Sequence, residues 1–165
     1  MQKEFDKIGP VVFDNTDKTF ANKIRKTLNE ADILDSFQRI GNNTQLDMSL
    51  YDFVAPLNNI GGGGIRSTDV GDVSWEVPTV QARVTTCAVG TSFHTWQAVA
   101  QGKSSAAHKG MIHAAKLMAS KARALIEDPK NLKEAKEALD PQVFKNLYIC
   151  PIPKDIFPPV IKNNI

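Results

Sequence analysis

The chain has 165 residues, 42% hydrophobic and 23% charged, the make-up of a globular protein of one-domain length. Its 20 basic and 18 acidic residues leave a net charge of +2, so no electrostatic case exists for nucleic acid or an anionic membrane as partner. No run of about 18 apolar residues occurs, so no membrane span is expected. The two cysteines, Cys87 and Cys150, are too few for a disulfide framework, and without a CxxC a finger-type zinc site is excluded. Cys87 lies in an apolar alternating run and is expected as a buried free thiol. The opening Met1-Gln2-Lys3-Glu4-Phe5-Asp6 is charged and has no apolar h-region, so a reducing cytoplasm is the expected compartment.

Residues 1–8 read as the end of a helix, with Phe5 and Ile8 as an i, i+3 apolar pair and Gly9-Pro10 as the stop. Asp14-Asn15-Thr16-Asp17 supplies N-cap chemistry for a second helix over roughly residues 16–29, with Phe20, Ala21, Ile24 and Leu28 at helical spacing. Ile33, Leu34 and Phe37 suggest a further helical turn. Residues 41–64 lack periodicity and read as a Gly/Asn-rich connector, with Leu50 to Val54 a short strand. The run Gly61-Gly62-Gly63-Gly64 is no phosphate loop, because neither GxxxxGKS/T nor GxGxxG is present. Thr79 to Ala88 alternates, with Val80, Ala82 and Val84 on one face, and reads as a strand. Residues 93–100 fit a second strand or a short helix.

The clearest element is a long helix over roughly residues 104–127, capped by Ser104 or Ser105. Ala107, Met111, Ala114, Ala115, Met118, Ala122 and Leu125 form its apolar face, and Asp128-Pro129 ends it. A lysine- and glutamate-rich helix over about 130–139 follows, and the proline-rich tail from Pro151 reads as extended.

Few residues are candidates for chemistry. His113 falls on the polar stripe of the long helix and reads as a solvated histidine. His108 falls at the buried edge of its first turn, either a structural histidine or one lining a site. The two are five residues apart, about 140° around a helix, and do not chelate one metal as an HExxH pair does. His94 follows the turn-forming Gly90-Thr91-Ser92, where loops commonly display functional side chains. On residue physics alone a structural histidine is its more frequent role. Asp69 and Asp72 are three apart and share a face if helical. They read either as an N-cap with a surface carboxylate or as a pair flanking one metal or histidine. No serine or cysteine nucleophile motif is present.

Several segments in order carry a resemblance: Ser67-Thr68-Asp69-Val70-Gly71-Asp72-Val73-Ser74-Trp75, Pro78-Thr79-Val80-Gln81, His94-Thr95-Trp96-Gln97, Val99 to Ser105, and Ala107-His108-Lys109-Gly110-Met111. They resemble the C-terminal part of the p-aminobenzoyl-glutamate hydrolase B-subunit family, metal-dependent amidohydrolases of the two-metal aminoacylase and carboxypeptidase G type. The resemblance implies an α/β fold: the C-terminal half of a zinc-peptidase-like catalytic domain, its strands packed against a long C-terminal helix, with the inserted lid or dimerisation domain absent. Residues 1–165 then form one partial catalytic domain: a helical part (1–40), the connector (41–64), the catalytic-domain core (65–140) and the tail (141–165).

The same resemblance implies that His94 is the last metal-ligand histidine, with Asp69 and Asp72 beside the site; His108, by its place on the long helix, is a further candidate beside the site or on its substrate side. The resemblance also implies a divalent metal, zinc or manganese, in the complete enzyme, and an N-acyl or N-aroyl amino acid such as p-aminobenzoyl-glutamate as substrate. A two-metal site needs roughly four or five protein ligands. One convincing ligand and no general base make the chain a fragment expected to be inactive alone. Its expected partner is the N-terminal half of the hydrolase or a second copy; the alternative is a non-catalytic binding subunit or remnant.

Overall fold

The computed structural model describes residues 1–40, 47–57, 68–145 and 148–157. They fall into two compact units, Met1–Arg66 with Val80–Asp128, and Ser67–Thr79 with Pro129–Ile165.

In the first unit, α1 (Gln2–Ile8) stops at Gly9, whose φ of +81° few residues but glycine accept. Val11 and Phe13 then point inward while Val12 between them is exposed. Asp14 starts α2 (Asn15–Arg25) with a complete capping box: its carboxylate accepts from the Thr16 and Asp17 backbone N–H groups, and the Asp17 carboxylate accepts from the Asp14 N–H. This local chemistry is why the cap was legible. Helix α3 (Glu30–Ile40) buries Phe37 fully. The Tyr51 ring meets Phe37 edge-on at 5.6 Å, and Phe53 meets Tyr51 at 5.8 Å. Val11, Phe13, Ala21, Ile24, Leu50, Ala88 and Ala106 form one core cluster, flanked by Phe20, Leu28 and Val84.

The expected α/β architecture is not what forms: the structure is helical, and no strand occurs among the described residues. Leu50–Val54 and Thr79–Ala88 are irregular chain. An alternating pattern makes a strand only where a neighbour pairs its backbone. Here the segment meets residues 49–51 through isolated bonds and not through a ladder. Thr85 Oγ1 donates to the Tyr51 carbonyl at 2.8 Å, the Val89 N–H to the Ser49 carbonyl at 2.9 Å, and the Ala88 N–H to a side chain. Residues 93–100 resolve as α5 (Trp96–Gln101), capped by Thr95. The glycine run falls outside the described residues.

Helix α6 (Ser105–Glu127) is capped by Ser104, as expected, and its last turn gives way to extended backbone at Asp128 before Pro129. Its buried stripe is not the expected one. Ala106, Gly110 and Leu117 are buried, while Met111, Ile112 and Met118 are exposed. Gly110 sets this rotation. A methyl group there would overlap the Thr85 carbonyl oxygen, so only glycine lets this chain segment lie directly on the helix. α1 packs on α6, where the Ser120 hydroxyl donates to the buried Glu4 carboxylate.

In the second unit, α4 (Val70–Glu76) is short, and α7 (Pro129–Lys145) runs past its expected end, through Pro141. So the long helix is not C-terminal. Pro129 occupies the first turn of α7, where its missing N–H is no loss. Lys130 pairs with Glu134 at 3.7 Å and Lys133 with Glu137 at 3.8 Å, the expected i, i+4 pattern. No helix among the described residues is long and apolar enough to cross a membrane.

Candidate functional site

His94 is exposed and stands out by its backbone. Its φ of +65° makes it the one described non-glycine residue at positive φ. Such a conformation persists only where the surroundings impose it, and the flanking contacts do so. Gly90, at φ +90°, packs against Ile33 so closely that an added Cβ would lie 2.6 Å from its Cγ1. Ser92 Oγ donates to the Asp32 carboxylate on α3 at 3.3 Å. Thr95 Oγ1 donates to the Ser92 carbonyl at 2.7 Å and accepts the Ala98 N–H, so it closes the turn and opens α5. Gln97 Nε2 donates to the Thr27 carbonyl at 3.2 Å.

Beneath the turn lies Gln101, a buried amide. Its Oε1 accepts the Ala88 N–H at 2.7 Å, and its Nε2 donates to Thr91 Oγ1 at 3.1 Å and the Gln97 carbonyl at 3.0 Å. Both ends of the amide are used, which fixes the orientation of the side chain. Gly90, already legible as a turn former, is joined as a positioning residue by Thr95 and Gln101, whose roles the sequence did not give. The available signal was Gly-x-x-x-x-Thr, a turn glycine followed by a helix cap.

The other candidates are dispersed. Asp69 holds the N-cap position of α4 with no side-chain cap bond; Thr68 Oγ1 accepts the Val70 N–H instead. Asp72, in the first turn, accepts a hydrogen bond from Tyr148 Oη at 2.9 Å, and the Tyr148 ring stacks on Trp75 at 6.3 Å. That bond raises the Tyr148 hydroxyl above its usual range. Asp69 and Asp72 thus share one short helix of the second unit, while His94 and His108 belong to the first. His108 is exposed rather than at a buried edge. His113 is the half-buried histidine of α6, with its Nε2 buried and without a hydrogen-bond partner. Cys87 is half-buried rather than fully buried, and burial pushes its thiol up; Cys150 is exposed. Among the described residues no group of three or more His, Cys, Asp and Glu side chains gathers where it could hold a metal ion.

A second charged cluster is structural. Lys109 on α6 reaches Asp14 at 2.7 Å and the buried Asp17 at 2.5 Å, so one ammonium ties the first turns of α6 to the capping box of α2. Its cation already fills the space between the two carboxylates.

No protein-family model matches the chain, and no solved structure matches it. The segments that carry the resemblance have a counterpart in a curated protein: with 36% identity across 98% of its own length, the chain is similar to a stretch covering 36% of the B subunit of the p-aminobenzoyl-glutamate hydrolase of Escherichia coli (strain K12), and so spans about a third of that relative.

Proposed function

We propose that this chain is part of a metal-dependent amidohydrolase that cleaves N-acyl or N-aroyl amino acids such as p-aminobenzoyl-glutamate. The observation that carries the reading is the 36% identity along nearly the whole chain to the E. coli hydrolase subunit. In this reading His94 offers one imidazole to a divalent metal, zinc or manganese, from a turn whose shape Gly90, Thr95 and Gln101 impose. A two-metal centre takes roughly four or five protein donors. The described donors do not make up such a centre by themselves. The remaining ligands and the general base lie on polypeptide outside these 165 residues, and the chain is inactive alone. The relative's name calls it a subunit, which supports association with further polypeptide.

The test is hydrolysis of p-aminobenzoyl-glutamate, with zinc or manganese supplied. The purified chain alone is expected to give none. Co-expressed with a polypeptide corresponding to the rest of the E. coli relative, it is expected to hydrolyse the substrate, with His94→Ala lowering turnover by at least about 100-fold. Turnover by the isolated chain overturns inactivity alone. A hydrolysing complex indifferent to His94→Ala removes that residue from the site. A stable complex that hydrolyses nothing leaves a non-catalytic binding subunit.

A further inference from the structure

Helix α6 is apolar on two faces. One carries Ala106, Gly110 and Leu117 and is buried within its unit. The other carries Met111, Ala115, Met118 and Ala122, at alternating spacings of four, three and four, with Ile112 and Ile126 beside them. At about 100° per residue these two stripes are centred about 130° apart around the helix, with Ile112 and Ile126 farther round still. The second is in water: Met111 is 61% exposed, Ile112 52%, Met118 60% and Ile126 80%. A helix that is apolar on two separate faces belongs between two packed layers, and among the described residues of its unit only the first face is covered. A cluster of this kind on a free chain marks a binding surface.

We infer that this second face of α6 is the docking surface for the remainder of a full-length hydrolase chain, an apolar surface of polypeptide corresponding to the part of the E. coli relative that has no counterpart here. That part is the larger: 98% of this chain covers only 36% of the relative. The face suits it. Ala115, Ala119 and Ala122 allow close approach of a backbone, and Met111 and Met118 fill an irregular surface with unbranched, adaptable side chains. The inference rests on the hydrolase reading for the identity of the partner, but not on His94 or a metal.

The experiment co-expresses the 165-residue chain with the E. coli relative lacking the matched stretch, and measures capture and mass by light scattering. A one-to-one complex is expected. Met111→Lys and Met118→Lys each weaken it at least about tenfold, because an ammonium is desolvated against an apolar surface. Lys116→Glu, on the polar strip, leaves it unchanged. Both methionines are exposed, so the variants fold as the parent does, which circular dichroism verifies. A complex unaffected by Met118→Lys overturns the inference, as does failure of any complex to form. A homodimer of the chain that Met118→Lys dissolves, with no binding of the remainder, overturns it in favour of a second copy. His94→Ala separates the two readings. It leaves capture intact, so a complex that forms but never hydrolyses substrate sinks the hydrolase reading and spares the docking face.

Discussion

The Gln101 side chain takes the Ala88 N–H at 2.7 Å from inside the protein, thirteen residues along the chain. This bond joins the core to the turn that carries His94, because the same amide also holds Thr91 and the Gln97 carbonyl. Gln101→Leu keeps the volume and removes all three bonds. It is expected to lower unfolding free energy by about 1–3 kcal/mol, the cost of leaving a buried N–H unpaired. Gln101→Glu retains the acceptor for Ala88 but loses both donors and buries a carboxylate against the Gln97 carbonyl, so it is expected to be at least as destabilising as Leu. Urea denaturation of the three proteins orders them; a Leu variant as stable as the parent discards this role.

Two glycines make a matched pair of tests. At Gly90 both the positive φ and the Ile33 side chain reject a Cβ. Gly90→Ala is expected to destabilise by more than about 1 kcal/mol, and trimming Ile33 does not restore it, since the backbone strain remains. Gly71, inside α4, has open space where its Cβ would stand. There Gly71→Ala is expected to stabilise by about 0.5–1 kcal/mol. Thermal melts of the two variants should move in opposite directions.

His94 holds a conformation that costs about 1–2 kcal/mol for a residue with a Cβ. His94→Gly should therefore raise the melting temperature of the isolated chain while it removes the only side chain proposed here as a metal ligand. A drop in melting temperature would show that the imidazole itself stabilises the fold.

The Lys109 cluster makes the stability of the first unit depend on pH. Hydrogen bonding to Lys109 holds the Asp14 carboxyl below its usual value of 3.8. Burial pushes Asp17 up, but the bonds from Lys109 and the Asp14 N–H outweigh it and leave Asp17 low as well. Bonds to Asp14 and Asp17 raise Lys109 above 10.5. Carboxylates lowered by folding stabilise above 3.8, and that contribution is lost as pH falls through their lowered folded values. Lys109 stabilises below 10.5 and loses its contribution as pH rises through its raised value. Lys109→Met is expected to remove the alkaline loss and move the acid limb to higher pH, both visible in melting temperature against pH. Unmoved limbs would exclude the cluster.

In the second unit, the hydrogen bond to Asp72 is the first cause of the raised Tyr148 hydroxyl. Asp72→Asn is expected to bring Tyr148 ionisation down toward its ordinary value of 10.0. The other tyrosine, Tyr51, pushed up to about 12 by burial, should stay where it is. Ultraviolet titration distinguishes the two, and an unchanged Tyr148 would mean the bond does not form in solution.

What the sequence made legible was local. The caps at Asp14 and Ser104 and the stop at Asp128-Pro129 depend on side chains within a few residues of the backbone they serve. Alternation at Thr79–Ala88 reports which side chains are apolar, not whether a second strand will pair with them. Periodicity along α6 likewise identified Met111 and Met118 as a stripe but could not say that the small residues Ala106 and Gly110 would be the side that packs. His108 and His113 exchanged roles for the same reason. Thr95 was unreadable as a cap while residues 93–100 fitted a strand equally well. The motif around His94 was recognisable without its φ, which depends on Ile33 and Asp32, about sixty residues earlier.

Glu4 and Ser120 are 116 residues apart in the chain. A ribosome adds residues in order, so the first helix is made long before its seat on the sixth exists. Until the sixth helix has emerged, the buried carboxylate has no hydroxyl to accept from and α1 has no surface to cover. Loop closure over such a span is slow to be compensated. The order of synthesis therefore makes the last-made helix of this unit the one that locks the first-made, and with it the frame on which the His94 turn is held.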